Sequence, residues 1–151
     1  MLDALELMDR GIETLAGRFP DVRPESSFDS VLVYSVLHCL DSEQDPLNFM
    51  ITAAEHLNEA GRLLIGDIPN ADKRKRFLAS DFGRAFDKRW RANSGKGVSW
   101  TGDGGAGFFS EDFIFDAVEQ LRRHGFEAYL LPQRPELPFS YTRDDILVIR
   151  I

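Results

Sequence analysis

The chain has 151 residues, 43% of them hydrophobic, which is enough for one core and makes a single domain the expectation. Its 18 Lys and Arg against 25 Asp and Glu leave a net charge of −7, which speaks against nucleic-acid binding because phosphate backbones need a basic surface. One cysteine excludes an internal disulfide, and no apolar run nears the roughly 20 residues that span a bilayer, so no membrane contact and a cytoplasmic location are expected.

Leu2, Leu5, Met8, Ile12, Leu15 and Phe19 recur at three- and four-residue spacing and predict an opening helix. Pro20 to Ser27 reads as a connection. Asp29 to Leu37 is apolar almost without interruption and predicts a strand covered on both faces, as in a parallel sheet. After a polar gap, Asp45 and Pro46 offer an N-cap and a first helical residue. Leu47, Met50, Ile51, Ala54 and Leu57 form one helical stripe, and Gly61 is the expected stop. Arg62 to Ile65 predicts a second strand, so strand, helix and strand make a βαβ unit. Ligands in such sheets bind beyond the carboxyl ends of the strands, here Tyr34 to Cys39 and Asp67 to Asn70.

From Asn70 to Gly107 the character changes, with a run of four cations (Lys73, Arg74, Lys75, Arg76) and scattered aromatics; 70–107 reads as a substrate-side insertion or lid. Asp81 to Arg91 predicts a helix bearing Phe82, Phe86 and Trp90, and Asn93 to Gly107 a mobile loop. Gly102, Gly104 and Gly107 satisfy a GxGxxG spacing. Glu111 and Asp112 would set negative charge where a pyrophosphate must sit, which argues against a dinucleotide site. Ser110 caps a predicted helix with Phe113, Ile114, Ala117, Val118 and Leu121 on one face and Gly125 after it. Phe126 to Leu131 and Asp145 to Ile151 predict two strands whose connection is too short for a crossover helix, so they should pair antiparallel.

The stretches FDSVLVYSVLHCL and EAGRLLIGDIPN resemble the fourth and fifth strands of class I S-adenosylmethionine-dependent methyltransferases, and DIPNADKRKRF and GFEAYLLPQRPELPFSYTRDDILVIR are similar to members acting in surface-polysaccharide (sugar) biosynthesis. The resemblance covers most of the chain from about Phe19 and implies an α/β fold. The expected form is a truncated Rossmann-like sheet, parallel strands plus a C-terminal antiparallel pair, with the N-terminal strands and their glycine-rich cofactor turn missing. The implied function is O-methylation of a sugar or nucleotide-sugar with S-adenosylmethionine as cofactor. The resemblance further implies a site that is incomplete in this chain and a fragment that is inactive alone. The alternative is a non-catalytic interaction module assembling through an exposed strand edge. Without the first strand one edge of the central strand lies open, predicting a homodimer along that edge or cover by the N-terminal helix.

The resemblance sets Tyr34 and Ser35 on the cofactor side; core packing and a plain strand end are the competing readings. His38 is a candidate general base or a strand-end cap. Asp67 would accept a proton from, or bind, a sugar hydroxyl, or else start a turn before Pro69, and Asn70 would bond the same ring. Lys73, Arg74 and Arg76 would hold phosphate or carboxylate, with a solvated charge run as the alternative. Cys39 reads as a small buried residue. No metal site is expected.

Overall fold

The computed structural model describes residues 11–40, 45–93, 107–137 and 139–151. Four strands form one sheet: β1 (Phe28–Tyr34), β2 (Leu57–Pro69), β3 (Phe126–Pro132) and β4 (Arg143–Arg150), in the order β1-β2-β4-β3. β1 and β2 are parallel, and β4 pairs antiparallel with both β2 and β3. Helices α1 (Pro46–Glu55) and α4 (Glu111–Arg123) pack against the sheet, while α2 (Ala71–Ala79) and α3 (Asp81–Asn93) follow β2.

The core lies between the sheet and α1 and α4. Met50, Leu57, Leu63, Ile65, Ile68, Ile114, Leu121, Ile146 and Val148 are each under 2% exposed. Burying such a side chain contributes about 1.5–3 kcal/mol. The strand alternation decides which residues take part. In β4, Asp144, Ile146 and Val148 are buried and the odd-numbered residues only half so.

Local signals explain the helix ends. Asp45 caps α1 by accepting from the Leu47 N–H at 2.9 Å, with Pro46 next. Ser110 caps α4, accepting from Phe113 N–H at 3.2 Å, and Gly125 (φ 87°) takes the left-handed turn after it. The predicted antiparallel pairing of the last two strands is present.

Several expectations are corrected. The opening helix, expected to end at Gly17, is absent over residues 11–17, which are irregular; residues 1–10 lie outside the described residues. β1 ends at Tyr34, and Leu37–Cys39 is a 3₁₀ turn. β1 is covered on one face only: Val33 is 9% exposed, but Leu32 is 67% and Tyr34 41% exposed. α1 stops at Glu55 and Leu57 begins β2, so the left-handed residue is Ala60 (φ 61°) and not Gly61. Gly61 serves a close approach instead, since a Cβ there would lie 2.7 Å from the Asn58 carbonyl oxygen and 3.0 Å from that of Phe28. α2 was not predicted at all. Cys39 is exposed. No described helix is long and apolar enough to cross a membrane.

Candidate functional site

The parallel pairing sets Tyr34, the last residue of β1, opposite Gly66, and the next residue of each strand is left-handed without being glycine: Ser35 just after β1 and Asp67 at the register irregularity within β2, which runs on to Pro69, each at φ 60°. An L-residue adopts that conformation at a cost of roughly 1–2 kcal/mol. Hydrogen bonds hold it here. Ser35 Oγ donates to Asp67 Oδ2 at 2.7 Å, the Ser35 N–H donates to the Gly66 carbonyl at 3.1 Å, and the Asp67 N–H donates to Asp145 Oδ1 at 2.9 Å. Strained residues of this kind gather at functional sites, because surrounding structure must over-determine them.

Tyr34 closes one side of this crevice. Its ring lies across Gly66, where a Cβ would meet Tyr34 Cδ2 at 2.5 Å. Partial burial, followed by the carboxylates of Asp67 and Asp145, pushes the phenol above its ordinary pKa, opposed by a hydrogen bond with Gln133. Tyr34 therefore keeps its proton near neutral pH. Gln133 also donates to Asp145 Oδ1 at 2.9 Å, so Tyr34, Gln133, Asp145 and Asp67 form one polar cluster.

The other side is Arg143, which sequence reasoning missed. Its guanidinium stands 5.5 Å from the ring centres of both Phe108 and Phe139, with Nε 3.5 Å from Asp67 Oδ1. Burial, and then the charge of Arg74, pull its pKa below the ordinary value, while Asp67 opposes the shift. Its Nε and Nη1 are buried without a hydrogen-bond partner among the described residues. No local pattern marks Arg143. It reaches the crevice only because β4 runs antiparallel to β2 and sets it opposite Pro69.

The predicted residues divide. Tyr34, Ser35 and Asp67 come together. Asn70 faces inward, 1% exposed: its Oδ1 caps α2 by accepting from Lys73 N–H at 2.8 Å, and its Nδ2 donates to Asp144 Oδ2 at 2.8 Å. That leaves its amide committed to the protein. Lys73 Nζ is paired with Asp144 at 2.7 Å, and Arg76 grips Glu111 with two bonds of 2.8 and 2.7 Å. The cation run is thus largely tied to carboxylates. Arg74 lies 5.3 Å from the Phe108 ring centre, next to Arg143. His38 sits in the 3₁₀ turn, its Nδ1 buried without a hydrogen-bond partner among the described residues and its carbonyl against Gly107. No described hydrogen bond joins it to Ser35 or Asp67.

Trp90 packs against Phe86 and Phe139, beside a cluster of Phe77, Phe82 and Tyr141. The void left there is about 10 Å³, room for one water and not for a ligand ring. Trp100, Gly102 and Gly104 lie outside the described residues. Among the described residues no group of three His, Cys, Asp or Glu could hold a metal ion.

No protein-family model matches the chain, and no curated protein matches it. Two solved structures are similar. One is a SAM-dependent methyltransferase from Thermotoga maritima, described as a possible histamine N-methyltransferase, with 22% identity and a TM-score of 0.49 over 98% of this chain and 69% of that one. The other is TnmH, with 21% identity and a TM-score of 0.53 over 98% of this chain and 37% of its own, so this chain spans 37% of the length of TnmH. At that identity the likeness to TnmH is one of fold: a mixed α/β sheet in which β1 and β2 are parallel and β4 runs antiparallel between β2 and β3.

Proposed function

We propose that the chain carries the acceptor side of an S-adenosylmethionine-dependent methyltransferase site, and that the acceptor is a hydroxyl of a sugar or nucleotide-sugar. The motif stretches that resemble this family fold onto adjacent parallel strands, and their ends meet where open α/β sheets take ligands. The observation that carries the reading is the Ser35–Asp67 hydrogen bond, which ties the strained residue after β1 to the strained residue within β2 in one polar crevice. The cofactor would supply a sulfonium methyl group. On the acceptor side, a substrate hydroxyl would take up that methyl group and give up its proton. Asp67, with Arg143 Nε 3.5 Å from its Oδ1, would receive the hydroxyl proton. Alignment supplies most of the rate in such a transfer, so a weak base is sufficient.

The residues present fit one side of the cofactor only. Tyr34 and Ser35 would hold it at the edge beside β1. Binding by this chain alone is accordingly expected near millimolar, about 4 kcal/mol. The test is an amide-resolved NMR titration with S-adenosylhomocysteine into the millimolar range. Shifts confined to Tyr34, Ser35, Gly66 and Asp67 are expected; no shift at these positions overturns the reading. Transfer of a labelled methyl group onto nucleotide-sugars, lost in Asp67→Ala, then tests the acceptor.

A further inference from the structure

Two arginines meet beside the Ser35–Asp67 crevice, brought there from distant parts of the chain. Arg143 opens β4 opposite Pro69, and Arg74 belongs to α2. Both lie over the Phe108 ring, Arg143 at 5.5 Å and Arg74 at 5.3 Å, and Phe139 gives Arg143 a second ring at 5.5 Å. The two guanidinium groups are close enough to repel one another. The neighbouring cations turn elsewhere, Lys73 to Asp144 and Arg76 to Glu111.

Little holds the charge of Arg143 in place. Ring faces attract a cation without accepting the strong bonds that an oxygen does. Its Nε and Nη1 are buried with no hydrogen-bond partner among the described residues, and Asp67 Oδ1 stands 3.5 Å from Nε, long beside the roughly 2.7–2.9 Å of a charge-assisted bond. Native interiors bond nearly all of their polar groups, and an exception points to a function. The side chain is 14% exposed, and with Nε and Nη1 buried it is Nη2 that can face the crevice. His38, whose Nδ1 is likewise buried without a partner among the described residues, borders the same segment: a Cβ at Gly107, next to Phe108, would lie 3.2 Å from His38 Cβ.

We propose that Arg143, with Arg74 beside it, seats a singly charged oxyanion carried by the methyl acceptor, next to the hydroxyl that is methylated. The inference rests on the acceptor reading above and makes it more specific. A guanidinium fork matches the paired oxygens of a carboxylate or phosphate, and a second guanidinium adds donors. One negative charge fits better than two, because Asp67 and Asp145 already line the crevice and would repel a dianion. Asp67 and Arg143 adjoin, so a hydroxyl on the first and an oxyanion on the second belong to neighbouring carbons of one sugar. The carboxylate of a sugar acid and the diphosphate of a nucleotide-sugar both bring this chemistry.

An NMR titration of the full chain that follows the arginine Nε–H signals tests this, with D-glucuronate, uridine diphosphate glucose and neutral D-glucose as probes. At least one charged sugar should move the Arg143 signal where glucose does not, and the tighter of the two identifies the source of the oxyanion. Arg143→Lys keeps a charge beside Asp67 but loses the fork, and should weaken the charged sugar about tenfold or more. Arg74→Gln should weaken it by a smaller factor, and circular dichroism confirms that both variants are folded. Charged sugars that bind no better than glucose overturn the inference, as does binding that both variants leave unchanged. Cofactor binding is read separately, at Tyr34, Ser35, Gly66 and Asp67. Shifts there without a response of Arg143 to either charged sugar remove this inference alone, whereas an Arg143 response without them upholds the oxyanion seat and removes the methyl-transfer reading.

Discussion

Asp67 stands between a hydroxyl and a guanidinium, with Ser35 Oγ on one carboxylate oxygen and Arg143 Nε 3.5 Å from the other. Both members of the ion pair are largely desolvated, with side chains 14% and 12% exposed. Removing one charge from a buried pair costs about 3–5 kcal/mol, because the other is left uncompensated. Residual exposure lowers that here, so Asp67→Asn should cost about 2 kcal/mol. Asparagine tolerates the left-handed backbone and can still accept from Ser35, which isolates the charge. Adding Arg143→Met should return more than half of the loss. Urea denaturation of the two variants checks both statements, and equal stability of single and double variants would show that the charge pair is not the cause.

At Gly66 the constraint is one of space. Tyr34 lies over it so closely that Gly66→Ala must displace the ring. The expected result is a tyrosine turned out into solvent and away from the carboxylates of Asp67 and Asp145, with its pKa falling back toward the ordinary value; a spectrophotometric titration of the phenol reads this directly. Tyr34 and Asp67 were legible in the sequence as residues at strand ends. The left-handed turns that join Ser35 to Asp67 were not, because their cost is met by bonds from β2 and β4 that no local pattern encodes.

Among the elements, those with a cap and an apolar stripe could be read directly. α4 has Ser110 before it, Ile114, Ala117, Val118 and Leu121 buried, and Gly125 after it. α2 shows why another helix escaped. It has no buried residue, so hydropathy periodicity is silent, and its cation run reads as a solvated stretch. Its attachment is polar instead: the Asn70 cap, Lys73 on Asp144, Arg76 on Glu111, and Phe77 stacked on Tyr141 at 5.1 Å. The Arg76 pair therefore links α2 to the start of α4, and it carries a pH signature. Its hydrogen bonds hold Glu111 below the ordinary carboxylate value of 4.5. A depressed folded-state pKa gives stability that is present above the unfolded value and lost as pH falls through the folded one. Arg76→Gln should lower stability only slightly at neutral pH, since solvent screens both groups. The gap between wild type and variant should close as acid takes the solution below the Glu111 pKa. A gap that persists unchanged into acid would mean that Arg76 acts through packing alone.

At the scale of the whole molecule, the parallel βαβ unit and the closing antiparallel pair were visible in the pattern of apolar runs, but the faces of β1 were not. A run of Val31, Leu32, Val33 and Tyr34 looks the same whether one face or two are covered, and only the neighbours decide. Among the described residues β1 pairs on one side only, and amide hydrogen exchange reads this along the strand. Val31 and Val33 bond inward to β2, so their amides should exchange slowly. Ser30, Leu32 and Tyr34 turn away from β2, and their amides should exchange at nearly the unprotected rate. Alternating protection along one strand follows from pairing on one side, and uniform protection of β1 would mean that its outer side is paired as well.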